Sequence, residues 1–202
     1  MTRTTMTATA ALGALTIFAT LWAWGQPLIC TCGEVKFWIG SVFDGGNSQH
    51  IADWYTLSHI LHGVLIALGG RLFFPQLGIK PLFLVAVGTG VAWELVEHTD
   101  FVLDAFRATT INQGYHGDSV LNAVSDYLWM LGGFFAAFSL RKRVVIAMIA
   151  ALELSAAFIA RDSLVLTTLM LVYPVEAVED WQQELNPNRD IASEVETLTL
   201  FG

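Results

Sequence analysis

The apolar residues of this 202-residue chain are laid out in blocks of membrane-spanning length, and that layout constrains the fold more than any motif does. About 20 predominantly apolar residues carry a helix across the ~30 Å hydrocarbon core of a bilayer. Backbone polar groups in lipid must be satisfied internally, which leaves helices or closed barrels. The first block runs from about Thr7 to Trp24 and ends in the interfacial aromatics Trp22 and Trp24. Further blocks run from Trp54 to about Phe74, from Pro81 to His98, from Asp118 to about Leu140 and from Val144 to Ala160. A last run, Ser163 to Val178, is short and broken by Pro174. It is taken here as a sixth span, the other reading being a re-entrant or interfacial segment. The expected fold class is therefore an all-α polytopic membrane protein with five to six transmembrane helices. Composition agrees: charged residues make up 14% of the chain, against about 25% in an average globular protein, and the mean hydropathy is +0.57.

Arg3 ahead of an apolar core resembles a signal peptide, but the core is long. The turn Gly25-Gln26-Pro27 follows it where a cleavage site of small residues would stand, so a retained span is expected. Residues 1–182 are expected to form a single transmembrane helical domain, and 183–202 an acidic cytoplasmic tail. The net charge of -8 says little about nucleic acid, but no basic patch of the kind that holds phosphate backbones is present, so no nucleic-acid partner is expected. Membrane lipids are the partners the composition implies, and protein partners are left open. Lys and Arg are enriched in cytoplasmic loops. A cytoplasmic N-terminus puts Arg3, Arg71, Lys80 and the cluster Arg141 to Arg143 inside, with Lys36, Arg107 and Arg161 outside.

That orientation has a consequence the charge count did not require. The ends of the second, third and fourth spans that carry His59, His62, Glu94, Glu97, His98, Asp118, Asn122 and Asp126 all point outward together. Asp118, Asn122 and Asp126 are four apart, so they form a stripe on one helix face. Acids in a membrane-length helix are costly unless they face protein, water or a ligand. Asp118, Asp126, Glu94 and Glu97 are accordingly the candidate catalytic acids and bases. Arg107, Arg161 and Asn122 are candidates for holding an anionic substrate. His59, His62 and Glu94 are candidate ligands of a divalent metal such as zinc or manganese, although the spacing matches no zincin pattern.

Structural roles compete with these. Asp53 and Asp118 each precede a helix and are read as N-caps. Arg107 is read as pairing with Glu97 or Asp100, and Arg161 with Asp162 or Glu153. Glu153 and Asp126 are read as functional or charge-paired, since isolated intramembrane acids are rare. Cys30 and Cys32 are one residue apart, which disfavours a redox disulfide and leaves copper or zinc binding with His50 as an equal reading.

Several motifs together resemble a known family: GQPLICTCG at 25–33, NSQHIADWYTLSHILHG at 47–63, WELVE at 93–97, RATTI at 107–111, YHGDSVLNAVSD at 115–126, Arg161-Asp162 and LVYPVEA at 171–177. The chain resembles the UPF0314 or DUF2585 family of bacterial inner-membrane proteins over about Gly25 to Gln182. His98 and His116 depart from the residues expected at those positions, which makes them the weakest candidate ligands. The resemblance implies a multi-pass protein of the bacterial cell inner membrane and assigns no activity. Two function classes follow from the residues. One is an enzyme of the outer membrane face acting on a lipid-linked or anionic substrate; the other is a non-catalytic transporter or membrane-complex assembly subunit. Haem or pigment binding through His59 or His62 is a third reading.

Overall fold

The computed structural model describes residues 1–111 and 114–187. Among them the chain is helical throughout: α1 (Arg3–Ala23), α2 (Trp54–Phe73), α3 (Ile79–Glu97), α4 (Asp100–Thr109), α5 (Val120–Ser139), α6 (Lys142–Ser155), α7 (Leu164–Val172) and α8 (Glu176–Gln183). Five helices are long and apolar enough to cross a membrane: α1, α2, α3, α5, and α6 together with its π-helical end Ala156–Ala160. That set is compatible with a multi-pass membrane protein.

The sixth span is corrected. Nine residues of α7 reach only about 14 Å at 1.5 Å per residue, half of a hydrocarbon core. Pro174 then ends the run, because it lacks an N–H and clashes with the preceding turn. α7 is therefore too short to cross, and α8 lies at the same end as Arg161, which bonds Glu184 at 2.6 Å. Of the acidic tail expected at 183–202, residues 183–187 lie at this end, not beyond a sixth crossing; residues 188–202 are outside the described residues.

The core sits between α1, α2, α3 and α5. Ile17 and Leu21 of α1, Val64 and Ala67 of α2, Phe83 and Ala86 of α3, and Tyr127 and Phe134 of α5 are fully buried there or nearly so. Lipid tails are as apolar as leucine, so helices in a membrane associate through close van der Waals packing and small residues. The α2–α5 pair is the clearest case. A Cβ on Gly63 would overlap the carbonyl oxygen of Met130, and one on Gly133 that of Ile60, so both backbones approach at a glycine. Tyr127, buried in α5, donates to the carbonyl of Ala10 at 3.2 Å and ties α1 to the pair.

The two ends differ in chemistry. At one end Arg71 donates to the carbonyls of Ala137 and Leu140, terminal acceptors of α5 that the helix itself leaves free. At the other, residues 24–53 fold over the bundle and clamp the start of α5. Val120 and Leu121 donate to the carbonyls of Pro27 and Leu28, Ser119 donates to Ser48, and Asn122 reaches the carbonyl of His50 at 2.8 Å. Gly63→Ala is expected to lower the thermal midpoint in detergent by an amount corresponding to about 1–3 kcal/mol of overpacking. Gly69→Ala, on the same helix with open space around its Cα, is expected to change it little. Equal effects of the two would count against the close approach.

Candidate functional site

Asp53 begins the site. It is the N-cap of α2, its carboxylate accepting from the N–H groups of Tyr55 at 2.8 Å and Ser48 at 2.7 Å, as its place before the helix predicted. Thr56, three residues on, completes a capping box by accepting from the Asp53 N–H at 3.1 Å. The same hydroxyl donates to Asp126 Oδ1 at 2.9 Å. Asp126 Oδ2 lies 3.9 Å from Nε2 of His59, and His59 Nδ1 lies 3.4 Å from Glu94 Oε1. A chain of polar groups thus runs from the start of α2 through α5 and back through α2 to α3. All of it is buried.

A second chain joins Glu97 to Asp118. The Tyr115 hydroxyl lies 3.2 Å from Glu97 Oε1 and 2.8 Å from Asp118 Oδ1. One hydroxyl carries one proton, so it cannot donate to both carboxylates at once. Asp118 is not the N-cap of α5: Ser119 is, accepting from the Asn122 N–H at 3.1 Å. The extra residue comes from Gly117, whose φ of +90° turns the chain so that the Asp118 side chain faces inward. The Asp118 N–H donates to His98 Nε2 at 2.9 Å, and His98 Nδ1 meets the carbonyl of Glu94 at 2.6 Å. Both nitrogens of His98 are therefore used in holding the loop to the end of α3. Burial raises the pKa of Asp53 to about 6, against the hydrogen bonds that favour its anion, and raises that of Asp118. Burial, with the Asp118 charge beside it, holds the Tyr115 phenol well above its ordinary range.

The acids expected to converge do so. Asp53, Glu94, Glu97, Asp118 and Asp126 are buried at one end of the bundle. Among the described residues, none of them has a lysine or arginine within ion-pair distance. Glu94 Oε2 and Glu97 Oε2 have no hydrogen-bond partner at full bonding geometry among them. One ligand atom each from His59, Glu94 and Glu97 fall within 4.8 Å of one another. His62 stands apart, edge-on to Trp93 with ring centroids 5.4 Å apart.

The candidate anion holders are placed elsewhere. Arg107 bonds Asp104 at 2.6 Å, one turn back on α4, and neither Glu97 nor Asp100. Arg161, in a left-handed conformation with φ of 55°, bonds Glu184 and the carbonyl of Trp181, and stacks over the Trp181 ring at 5.1 Å. It pairs with neither Asp162 nor Glu153. Asn122 holds the covering loop through His50. Glu153 accepts from the Leu164 and Val165 N–H groups at 3.2 and 3.3 Å and so caps α7, a role no local signal announced. Cys30 and Cys32 are joined as a disulfide, and ligand atoms of Cys30, Cys32 and His50 lie within 4.8 Å of one another.

Two cavities meet at His59, His62 and Trp93. One, of about 50 Å³, is lined by Tyr55, Glu97, Tyr115, Asp118 and Asp126 and by the apolar Phe106 and Leu164. The other, of about 280 Å³, runs between α2 and α3 past Leu65, Ile66, Thr89 and Gly90 to Met130. Thr56 and Tyr115 were not among the sequence candidates. The Asp-x-x-Thr spacing at 53–56 could have marked Thr56 as a capping residue; its second bond, to Asp126, depends on α5.

A family model described as "Protein of unknown function (DUF2585)" matches residues 21–184. A UPF0314 protein of Sphingopyxis alaskensis is 44% identical over 182 residues, covering 90% of this chain and 96% of that protein. One from Paracoccus denitrificans is 43% identical over 171 residues, 84% of this chain and 89% of its own length. No solved structure matches the chain.

Asp162, which joins α6 to α7, accepts from Tyr55 in the cavity wall at 3.0 Å, from Ser163 at 2.9 Å and from Thr167 at 2.8 Å. Burial nevertheless raises its pKa to about 6 from an ordinary 3.8. The folded chain thus holds the proton more tightly than the unfolded one. The associated stability is fully present below about pH 4 and is lost as pH rises through about 6, up to roughly 3 kcal/mol. Asp53, shifted the same way, adds a loss of the same sign. Thermal midpoints in detergent are expected to fall between pH 4 and pH 7, with a shallower fall in Asp162→Asn. An unchanged slope in that variant would rule out the contribution of Asp162.

Proposed function

We propose that this chain, which belongs to the DUF2585 (UPF0314) family, is an enzyme of the bacterial inner membrane that acts on a lipid-linked substrate. The observation that carries the reading is the junction of the two cavities. The apolar one between α2 and α3 shares His59, His62 and Trp93 with the one that holds the acids. An alkyl chain lying between α2 and α3 would bring its polar head against Glu97, Asp118 and Asp126. Binding sites of this kind combine apolar walls with a few convergent polar groups.

Asp126, oriented by Thr56 and beside His59, is the candidate general base. Tyr115, poised between two carboxylates, is a candidate proton donor to a leaving oxygen. The apolar walls of Phe106 and Leu164 limit competing water beside those groups. Transport finds less support. Below the site the path is closed by the backbone contacts of Gly63 with Met130 and of Gly133 with Ile60, and by Phe83 against Phe134.

The orientation follows from charge. Arg3, Arg71, Lys80 and Arg141 to Arg143 are at the ends of α1, α2, α3, α5 and α6 remote from the acids. The positive-inside rule then makes the N-terminus cytoplasmic and the site periplasmic. An alkaline phosphatase fusion in the 24–53 loop is expected to be active, and one after Arg143 inactive; the reverse pattern would invert the topology.

For the activity, the protein would be reconstituted with a total bacterial lipid extract and the products followed by mass spectrometry. Asp126→Asn is expected to slow turnover by at least about 100-fold, the usual scale for a lost general base. Leu65→Trp, which narrows the apolar cavity, is expected to act on KM more than on kcat. Lipid turnover undiminished in Asp126→Asn, or none by the wild-type chain, would overturn the reading.

A further inference from the structure

We infer that His59, Glu94 and Glu97 form a binding site for one divalent transition-metal ion, zinc or manganese. The first argument is unsatisfied chemistry. Among the described residues, Glu94 Oε2 and Glu97 Oε2 are buried without a hydrogen-bond partner at full bonding geometry, although Trp93 also acts on the Glu97 carboxyl; a buried polar atom left unpaired costs as much as a lost hydrogen bond or more. The ligand atoms of these two residues and of His59 lie within 4.8 Å of one another. The carboxylates that carry the unpaired oxygens therefore belong to a donor set already gathered around one point.

The second argument is distance. Zinc binds imidazole nitrogen and carboxylate oxygen at about 2.0–2.2 Å, so neighbouring donors of a tetrahedral site stand roughly 3.4 Å apart. His59 Nδ1 and Glu94 Oε1 are 3.4 Å apart. The third is the surroundings of the imidazole. With Nδ1 turned to the ion, the proton sits on Nε2, and Nε2 faces Asp126 Oδ2 at 3.9 Å. Asp126 in turn accepts from Thr56 at 2.9 Å. At 3.9 Å Asp126 is beyond direct hydrogen-bond reach of that N–H, so it acts on the imidazole through its charge, which favours a proton on Nε2 and raises the basicity of the ligand. Charge points the same way. Two carboxylates beside a neutral imidazole, with no ammonium or guanidinium of the described residues in reach, are balanced by a dication. One nitrogen and two oxygens suit zinc and manganese.

The site changes the expected ligands. Glu97 joins His59 and Glu94, whereas His62 is turned edge-on to Trp93 and drops out. Its chemical use rests on the lipid-linked reading above. Because Arg107 and Arg161 are engaged elsewhere, the ion would be what draws an anionic head group such as a phosphate to a wall of acids. It would polarise that group or lower the pKa of a bound water.

The test is metal content by inductively coupled plasma mass spectrometry on protein purified without chelator. It is paired with thermal shift after chelation and after adding back zinc or manganese separately. About one ion per chain is expected in the wild type, with a gain in thermal midpoint on add-back of the ion that belongs there. Glu94→Gln and His59→Gln, checked for monodispersity by size exclusion, are expected to lose both. Asp126→Asn is expected to weaken binding by about 10–100-fold, and His62→Gln to leave occupancy unchanged. Equal occupancy in Glu94→Gln, or a wild-type chain that neither contains nor responds to either ion, would overturn the inference. The two proposals fail separately: lipid turnover by fully chelated protein removes the metal and keeps the enzyme, and a bound ion without any turnover does the reverse.

Discussion

Five carboxylates buried together at one end of an apolar bundle, with no lysine or arginine among the described residues beside them, are the constraint that organises this protein. Burying a charge is costly unless it is paired and hydrogen-bonded. Much of the surrounding structure supplies the hydrogen bonds. Asp53 takes backbone N–H groups as a helix cap, Asp126 takes the Thr56 hydroxyl, and Asp118 and Glu97 share that of Tyr115. Among the described residues, one oxygen each on Glu94 and Glu97 is left without a partner, as is Oδ1 of the neighbouring Asn122.

Holding that cluster requires rigid backbone, and the fold provides it in two ways. The glycine contacts of α2 with α5 bring the helices bearing His59 and Asp126 to backbone distance, which fixes their relative height. The segment 24–53 then closes the open end, satisfying the first N–H groups of α5 with the carbonyls of Pro27 and Leu28. Asn122, although buried in the stripe with Asp118 and Asp126, serves this clamp through His50. Residues that look alike in the sequence thus divide between holding the site and forming it.

How far the site could be read from the chain varied by residue. Asp53 was legible as a cap because capping is local: a short acid before an apolar run has an N–H group waiting one turn ahead. Asp118 looked the same and was not a cap, because Ser119 took that position after Gly117 turned the chain. Arg107 and Arg161 were expected to pair with particular acids, and each paired with another. Long flexible side chains choose partners by tertiary proximity, and Glu184 reaches Arg161 only because α7 fails to cross and α8 folds back. The capping of α7 by Glu153 had no local signal either, since donor and acceptor belong to different helices.

What the sequence determined by itself was the helical class, five of the spans and the end of the bundle at which the acids gather. Each follows from a physical rule acting along the chain: apolar length sets a span, and successive spans alternate in direction, so polar residues at matching ends must meet. Only the tertiary structure decided which polar groups touch. It matched His59 to Glu94 and Asp126, turned His62 toward Trp93, and gave Arg107, Arg161 and Asn122 the partners Asp104, Glu184 and the His50 carbonyl. Those choices depend on helix rotation and ångström-scale height, which glycine packing and loop closure set between segments distant in sequence.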